Sequence, residues 1–181
     1  MNSVRGFGRT LRVLGLSAVI LVVAAIVVSG EPAVQASLCQ ELELLRLFLG
    51  SWNGALEEAP DQIWTKRAWT SILDGQAIRD VRTVPEFGFE AEALIFFDRG
   101  ASTIAYVGIT DNGYVTRGEI RLEGEDFVQT GEQTMPDGTV RATRTIRSFR
   151  GDGSMVEHFY SCDAGAWQAG HIIIYAPAVA E

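Results

Sequence analysis

The sequence predicts an all-β protein: a single antiparallel up-and-down barrel of about eight to ten strands behind a short N-terminal helix. One amphipathic helical segment lies near the start of the globular part, and from residue 51 onwards the apolar residues tend to alternate with polar ones. Asp-Gly and Asn-Gly turn signals separate these alternating segments at hairpin spacing. No second helical pattern interrupts the series, which favours a β-meander.

Composition and charge restrict the partners. The chain has 181 residues, with 47% hydrophobic and 21% charged, as in a single folded domain. The formal net charge is −8, and it becomes −10 for residues 37–181 because the first 36 residues hold three arginines and one glutamate. An acidic body repels phosphate backbones and no basic cluster offsets it, so nucleic acid is not an expected partner.

The N-terminal residues predict export. An uncharged apolar run spans residues 13–29, and three arginines precede it: Arg5, Arg9 and Arg12. This order is typical of a signal peptide, and Val34-Gln35-Ala36 offers a cleavage site. Residues 1–36 are predicted to be a signal peptide or, if uncleaved, a membrane anchor, with residues 37–181 as the barrel domain. The body is expected to be periplasmic or secreted, or held at the inner membrane by residues 13–29 alone.

The helix and the strands follow from periodicity. Apolar residues at i, i+3 and i+4 predict a helix over 38–49 that stops before Gly50, with a stripe formed by Leu38, Leu42, Leu45 and Leu49. Alternation and turn signals then predict strands over 51–57, 62–73, 76–84, 89–97, 103–109, 114–122, 127–134, 139–149, 155–162 and 167–175. Ala59-Pro60-Asp61 is predicted to break the first strand, and Trp64 and Trp69 are predicted to face opposite sides of the second.

The chain has two cysteines, Cys39 and Cys162. In an oxidising compartment two cysteines most simply form one disulfide, which here would tie the mature N-terminus to a late strand. Neither cysteine has a histidine or acid at metal-ligand spacing, so no zinc site is predicted.

Several motifs together give a family resemblance. They are Leu-Gly-Ser-Trp-Asn-Gly at 49–54, the hairpin at 73–75, Phe97-Asp98, Gly151-Asp152-Gly153, and 163–167 with Tyr175. Over residues 42–176 the chain resembles the bacterial lipocalin-like (calycin) barrels, which are often secreted. The resemblance implies that Trp52 plugs the closed end of a barrel beneath a ligand cavity. The late helix of lipocalins proper has no counterpart in the sequence, so the resemblance concerns shape and leaves the ligand open.

Aromatic residues could line a pocket for a small apolar molecule. The candidates are Trp52, Trp69, Phe96, Tyr106, Trp167 and Tyr175. The alternative is that such residues fill the barrel, leaving a structural or interaction domain. The arginines that recur on the strands are interpreted as cross-strand partners of Glu119, Glu132 and Glu157 on the outer face. A buried arginine that receives a carboxylate ligand is the alternative, with Arg144 as the candidate.

A second resemblance concerns haem. Gly50-Ser51-Trp52-Asn53-Gly54 and the histidine opening the last strand are similar to nitrobindin-type barrels, which implies His171 as an axial haem ligand. Apart from this alternative no cofactor is expected. The sequence has no Gly-x-Ser-x-Gly, no His-Glu-x-x-His and no phosphate-binding glycine loop. No catalytic residue is assigned, so the question of an enzyme stays open and a binding role is favoured.

Overall fold

A computed structural model describes residues 37–179 of the chain. The predicted signal peptide or anchor, residues 1–36, lies outside the described residues, together with its apolar run at 13–29. Within residues 37–179, none of the helices combines the length and the hydropathy that crossing a membrane requires.

Ten antiparallel strands form a closed barrel, which confirms the predicted fold class. Each strand pairs with its neighbours in the chain, and β1 pairs with β10 to close the sheet. The strands are β1 (Gly50–Leu56), β2 (Ala59–Ile72), β3 (Ala77–Val84), β4 (Phe89–Asp98), β5 (Thr103–Thr110), β6 (Val115–Glu123), β7 (Asp126–Thr134), β8 (Val140–Phe149), β9 (Met155–Asp163) and β10 (Ala166–Pro177). Short 3₁₀ turns, Leu73–Gly75 and Pro85–Phe87, join β2 to β3 and β3 to β4.

The strands lie close to the predicted segments because turn chemistry fixes where each one ends. Gly113 has a φ of +84°, the left-handed conformation that a tight hairpin needs and that glycine adopts without strain. The predicted break at 59–61 is wrong. β2 already begins at Ala59, since Pro60 sits at the start of the strand, where a missing backbone donor is tolerated.

The N-terminal helix is a 3₁₀ helix, Gln40–Phe48, that covers one end of the barrel. Its buried side chains recur every third residue, at Leu42, Leu45 and Phe48, which matches the three residues per turn of a 3₁₀ helix. The predicted stripe at i, i+3 and i+4 therefore identified a helix with the correct location but the wrong period. Leu38 and Leu49 are only partly buried against the core.

The core fills the half of the barrel next to this helix, which we call the closed end. Phe48 stacks on Trp69 with ring centroids 4.6 Å apart, and edges of Phe127 and Phe149 approach it at 4.8 and 4.9 Å. The Trp52 indole donates to the Phe48 carbonyl oxygen at 2.8 Å. Trp52 thus lies at the closed end, beside the N-terminal helix.

The predicted disulfide is wrong. Both cysteines are free. Cys39 donates its backbone N–H to Gly75 O at the closed end, whereas Cys162 pairs with Trp167 beside the β9–β10 hairpin at the opposite end. A strand of this length spans roughly 20–30 Å, whereas a disulfide joins Cα atoms about 4.4–6.8 Å apart.

Candidate functional site

A cavity of about 500 Å³ occupies the other half of the barrel, the open end. Side chains from nine of the ten strands border it. Its apolar wall includes Trp64, Val84, Phe89, Ala91, Ala93 and Phe159, and its polar wall includes Thr116, Gln133, Thr143 and Thr145. The barrel is therefore filled only in its closed half, which argues against the filled-barrel hypothesis.

A layer of buried charges separates the cavity from the aromatic core. We call it the ionic floor: Arg67, Asp80, Arg147 and Glu157. Arg67 binds Asp80 through two hydrogen bonds, of 2.8 and 2.6 Å, and donates a third to Glu157 at 2.6 Å. Arg147 donates to the same Glu157 oxygen at 2.7 Å and to Gln129 at 2.7 Å.

The ionic floor rests directly on the aromatic core. The guanidinium carbon of Arg67 lies 5.0 Å from the centre of the Trp69 ring, and that of Arg147 lies 5.6 Å from it. Both arrangements place a cation over an aromatic face, which is favourable when water is excluded. The four charged side chains are almost fully buried, at 2–7% exposure.

The electrostatics of the floor keep Glu157 ionised. Burial opposes ionisation of Glu157, but the positive charges of Arg147, Arg67 and Arg82 outweigh it and hold the pKa of Glu157 well below its ordinary value. Burial likewise opposes the charge on Arg67, yet Asp80 and Glu157 raise the pKa of that guanidinium. Two cations and two anions therefore balance within the floor.

Arg82 is a fifth charge, and it lies on the cavity side of the floor. Its side chain is 20% exposed, more than any side chain of the floor. One of its nitrogens stands 3.9 Å from Glu157, beyond hydrogen-bond distance, and Nε contacts the Thr65 hydroxyl at 3.4 Å. The guanidinium lies 5.4 Å from the centre of the Trp64 ring.

Two β-bulges shape the cavity wall. The register between β1 and β2 shifts at Trp64, and that between β9 and β10 shifts at Gly170 and His171. A bulge re-aims side chains, and here both tryptophans of β2 lie inside the barrel, Trp64 at the cavity and Trp69 in the core. The prediction that they face opposite sides is therefore wrong.

The bulges bring His171 between two aromatic rings. Its imidazole stacks on Phe159 at 5.2 Å and lies 5.5 Å from Trp64. Burial, with the nearby charge of Arg82, lowers the pKa of His171, so the ring is neutral near pH 7. Its Nε2 atom is buried and has no hydrogen-bond partner among residues 37–179.

The six aromatic candidates occupy three places. Tyr106 borders the cavity. Trp52, Trp69 and Tyr175 lie beneath the floor in the closed-end core and, contrary to the prediction, do not border the cavity. Phe96 and Trp167 do not reach the interior, which corrects the prediction for both.

The reasons for these two corrections differ. Phe96 lies between Ile95 and Phe97, which pack with the core, so alternation places Phe96 on the outer face. Trp167 would share the inward face of Tyr175 in a regular strand. The bulge at Gly170 and His171 shifts that alternation by one residue, and Trp167 is 52% exposed.

The charged residues of the site were missed by the sequence interpretation, which placed Arg82, Arg147 and Glu157 on the outer face. The alternation of inward-facing and outward-facing residues along each strand could have identified them. Arg67 shares the face of Trp69, and Glu157 shares the face of Met155, two apolar core positions. Arg144, the candidate for a buried ligand-binding arginine, lies on the outer face with Glu123 at 3.6 Å.

The fold and the site define a class of molecule: a closed ten-stranded antiparallel barrel with a cavity above a buried ionic layer. No protein-family model matches the chain, and no curated protein matches it significantly. The resemblances to lipocalin-like and nitrobindin-type barrels therefore stay predictions.

Proposed function

We propose that the protein is an exported binding protein that holds a small, largely apolar molecule in the barrel cavity. Export is supported by the signal-like order of residues 1–36, which implies a periplasmic or secreted site of action or attachment at the inner membrane. Binding is supported by the cavity. Its size lies within the range of small-molecule pockets, and its apolar wall with a few convergent polar groups has the usual composition of such pockets.

The observation that carries the proposal is the contrast between the two halves of one barrel. The closed end is filled by aromatic side chains that contact each other at 4.6–4.9 Å. The open end instead places small residues, Ala91, Ala93 and Gly108, on the inward face of adjacent strands. Small side chains at these positions keep space that larger ones would fill.

A cavity-filling variant tests the proposal. The probe is N-phenyl-1-naphthylamine, a neutral dye whose fluorescence increases in apolar surroundings, titrated into the purified full-length chain. Ala91→Phe places a ring in the cavity, and Leu94→Phe adds a ring on the outer face of the same strand as a matched control. Both variants keep residues 1–36, so dye bound by that segment contributes equally to both.

We expect saturable binding at one site per chain, lost in Ala91→Phe and kept in Leu94→Phe, with unchanged circular dichroism in both variants. Native mass spectrometry of the full chain would add the mass of any co-purified ligand. Absence of saturable binding, or equal binding by a folded Ala91→Phe variant, would overturn the proposal.

Haem binding is a second candidate, favoured by one observation. His171 borders the cavity as a neutral imidazole whose buried Nε2 lacks a partner among the described residues, and a neutral imidazole is a suitable axial ligand. When bound, haem would supply chemistry at its iron. A Soret band that appears on adding hemin and shifts or disappears in His171→Ala would support this candidate. Identical spectra for the two proteins would refute it.

A further inference from the structure

We propose that the ligand has a single carboxylate, which Arg82 binds just above the ionic floor, while the apolar remainder extends toward the mouth of the barrel. This inference rests on the proposed binding function and specifies its ligand class. It concerns Arg82, the one arginine of the described cavity wall that makes no hydrogen bond to a carboxylate.

The charges around the cavity favour an anionic ligand. The ionic floor contains two guanidinium groups and two carboxylates in direct contact, so it needs no further counter-ion. Arg82 adds one positive charge. Glu92 also borders the cavity, but its carboxylate is about half exposed and binds Arg79 at 2.7 Å on the outer face. Glu157, which lies 3.9 Å from Arg82, already balances a guanidinium of the floor. The cavity therefore has an excess of one cation, and a partly buried charge without its own counter-ion is costly. An anion of charge −1 removes this cost.

The geometry of Arg82 suits a carboxylate. Arginine has five N–H donors in a planar fork that matches a carboxylate. Arg82 uses one of them weakly, on the Thr65 hydroxyl at 3.4 Å. Its position over Trp64 restrains the plane of the fork. Its remaining donors are not used in hydrogen bonds to groups of residues 37–179 and are available to a ligand.

A second donor lies on the same wall. His171 Nε2 is buried and unpartnered, and the neutral ring has one N–H. With that proton on Nε2, the ring would donate to the same head group. The groups that perturb His171 electrostatically include Arg82, Glu157, Arg67 and Glu58, and the positive charges of Arg82 and Arg67 disfavour a protonated ring. An anionic ligand thus meets one cation and one neutral donor.

The apolar side chains set the orientation. Val84, Ala91 and Phe89 border the cavity farther along their strands from the closed end, and Phe87 and Ile109 stand near the mouth. Phe87 is 69% exposed and Ile109 57%, so apolar surface continues to the rim. A ligand with its charge at the floor would place its apolar part along this wall, which is the arrangement of a fatty or aromatic monocarboxylic acid.

A matched pair of ligands tests the inference. Dodecanoate and 1-dodecanol share one chain length and differ only in the head group. Each is used to displace N-phenyl-1-naphthylamine from the full-length wild type, from Arg82→Gln and from Arg79→Gln. Arg79 lies on the outer face of the same strand, so the last variant removes an equal charge outside the cavity.

We expect dodecanoate to bind the wild type about ten- to a hundred-fold more tightly than the alcohol, as a charge-assisted hydrogen bond would give. Arg82→Gln should abolish this preference and leave binding of the alcohol unchanged, whereas Arg79→Gln should keep it. Equal affinities in the wild type, or a preference that survives in Arg82→Gln, would refute the carboxylate and leave the binding function standing. If the dye binds and neither dodecyl compound displaces it, the carboxylate inference also fails. If nothing binds, the binding function fails with it.

Discussion

The ionic floor predicts a large stability effect at Glu157. This carboxylate accepts hydrogen bonds from Arg67 at 2.6 Å and Arg147 at 2.7 Å, and its side chain is 2% exposed. Glu157→Gln keeps the shape but removes the charge, which leaves two buried guanidinium groups with Asp80 as their only counter-ion in the floor. We expect a cost of about 3–5 kcal/mol, as for other broken buried ion pairs.

That cost is a large share of the stability of a typical domain, which is about 5–15 kcal/mol. For a domain of this size it corresponds to a decrease in Tm of about 6–20 °C. Urea and thermal unfolding followed by tryptophan fluorescence measure both quantities. Glu92→Gln is the matched control, because it removes an equal charge from an exposed pair and should change stability little.

The pH dependence gives an independent check. The folded-state pKa of Glu157 is lowered, so its stabilising contribution is present above the ordinary pKa of 4.5 and is lost as the pH falls toward the lower, folded value. Wild type should therefore lose part of its advantage over Glu157→Gln below about pH 4.5. If Glu157→Gln unfolds at the same urea concentration as Glu92→Gln at pH 7, the argument for the floor is wrong.

Other predictions concern packing and the thiols. Phe48→Ala should cost about 3–5 kcal/mol in urea unfolding, because Phe48 is 1% exposed. Leu47→Ala, at an exposed position, should change stability by less than about 0.5 kcal/mol, and a similar loss in both variants would contradict the closed-end core. Gly54→Ala should cost about 1–3 kcal/mol, since its added Cβ would lie 2.6 Å from Thr65 Cγ2, while Gly151→Ala, with open space around it, should be neutral. Finally, iodoacetamide should alkylate both cysteines of the denatured, unreduced full chain, and a mass showing no alkylation would restore the disulfide.

Most of the fold could be predicted because its determinants are local. Turn residues and alternation mark all ten strands, and a meander leaves few ways to join them. The period of the N-terminal helix could not be predicted, since apolar residues at Leu42, Leu45 and Phe48 fit an α-helix nearly as well as a 3₁₀ helix. Only packing against the barrel end selects between them.

The site was harder to predict because two bulges change which side chains face inward. A bulge has no simple sequence signal. Regular alternation across Gly170 therefore places Trp167 inside the barrel, where it does not lie. Regular alternation along β2 likewise places Trp64 outside the barrel, although the bulge turns it inward. The location of the buried charges was mispredicted for another reason. Arginine and glutamate on strands are usually exposed, and only their shared face with Trp69 and Met155 reveals that these are not.

The ionic floor is not explained by a need for stability. Buried ion pairs of this kind are often no more stabilising than apolar residues of the same volume, and the closed end shows that this chain can fill the barrel with aromatic side chains. A layer of fixed charge has a different consequence. It ends the apolar core at one level, leaves the space above it open, and holds the charge of Arg82 at the bottom of that space. A core extended through this level would have neither the cavity nor a cation within it, so the floor fits the proposed binding of a ligand above it.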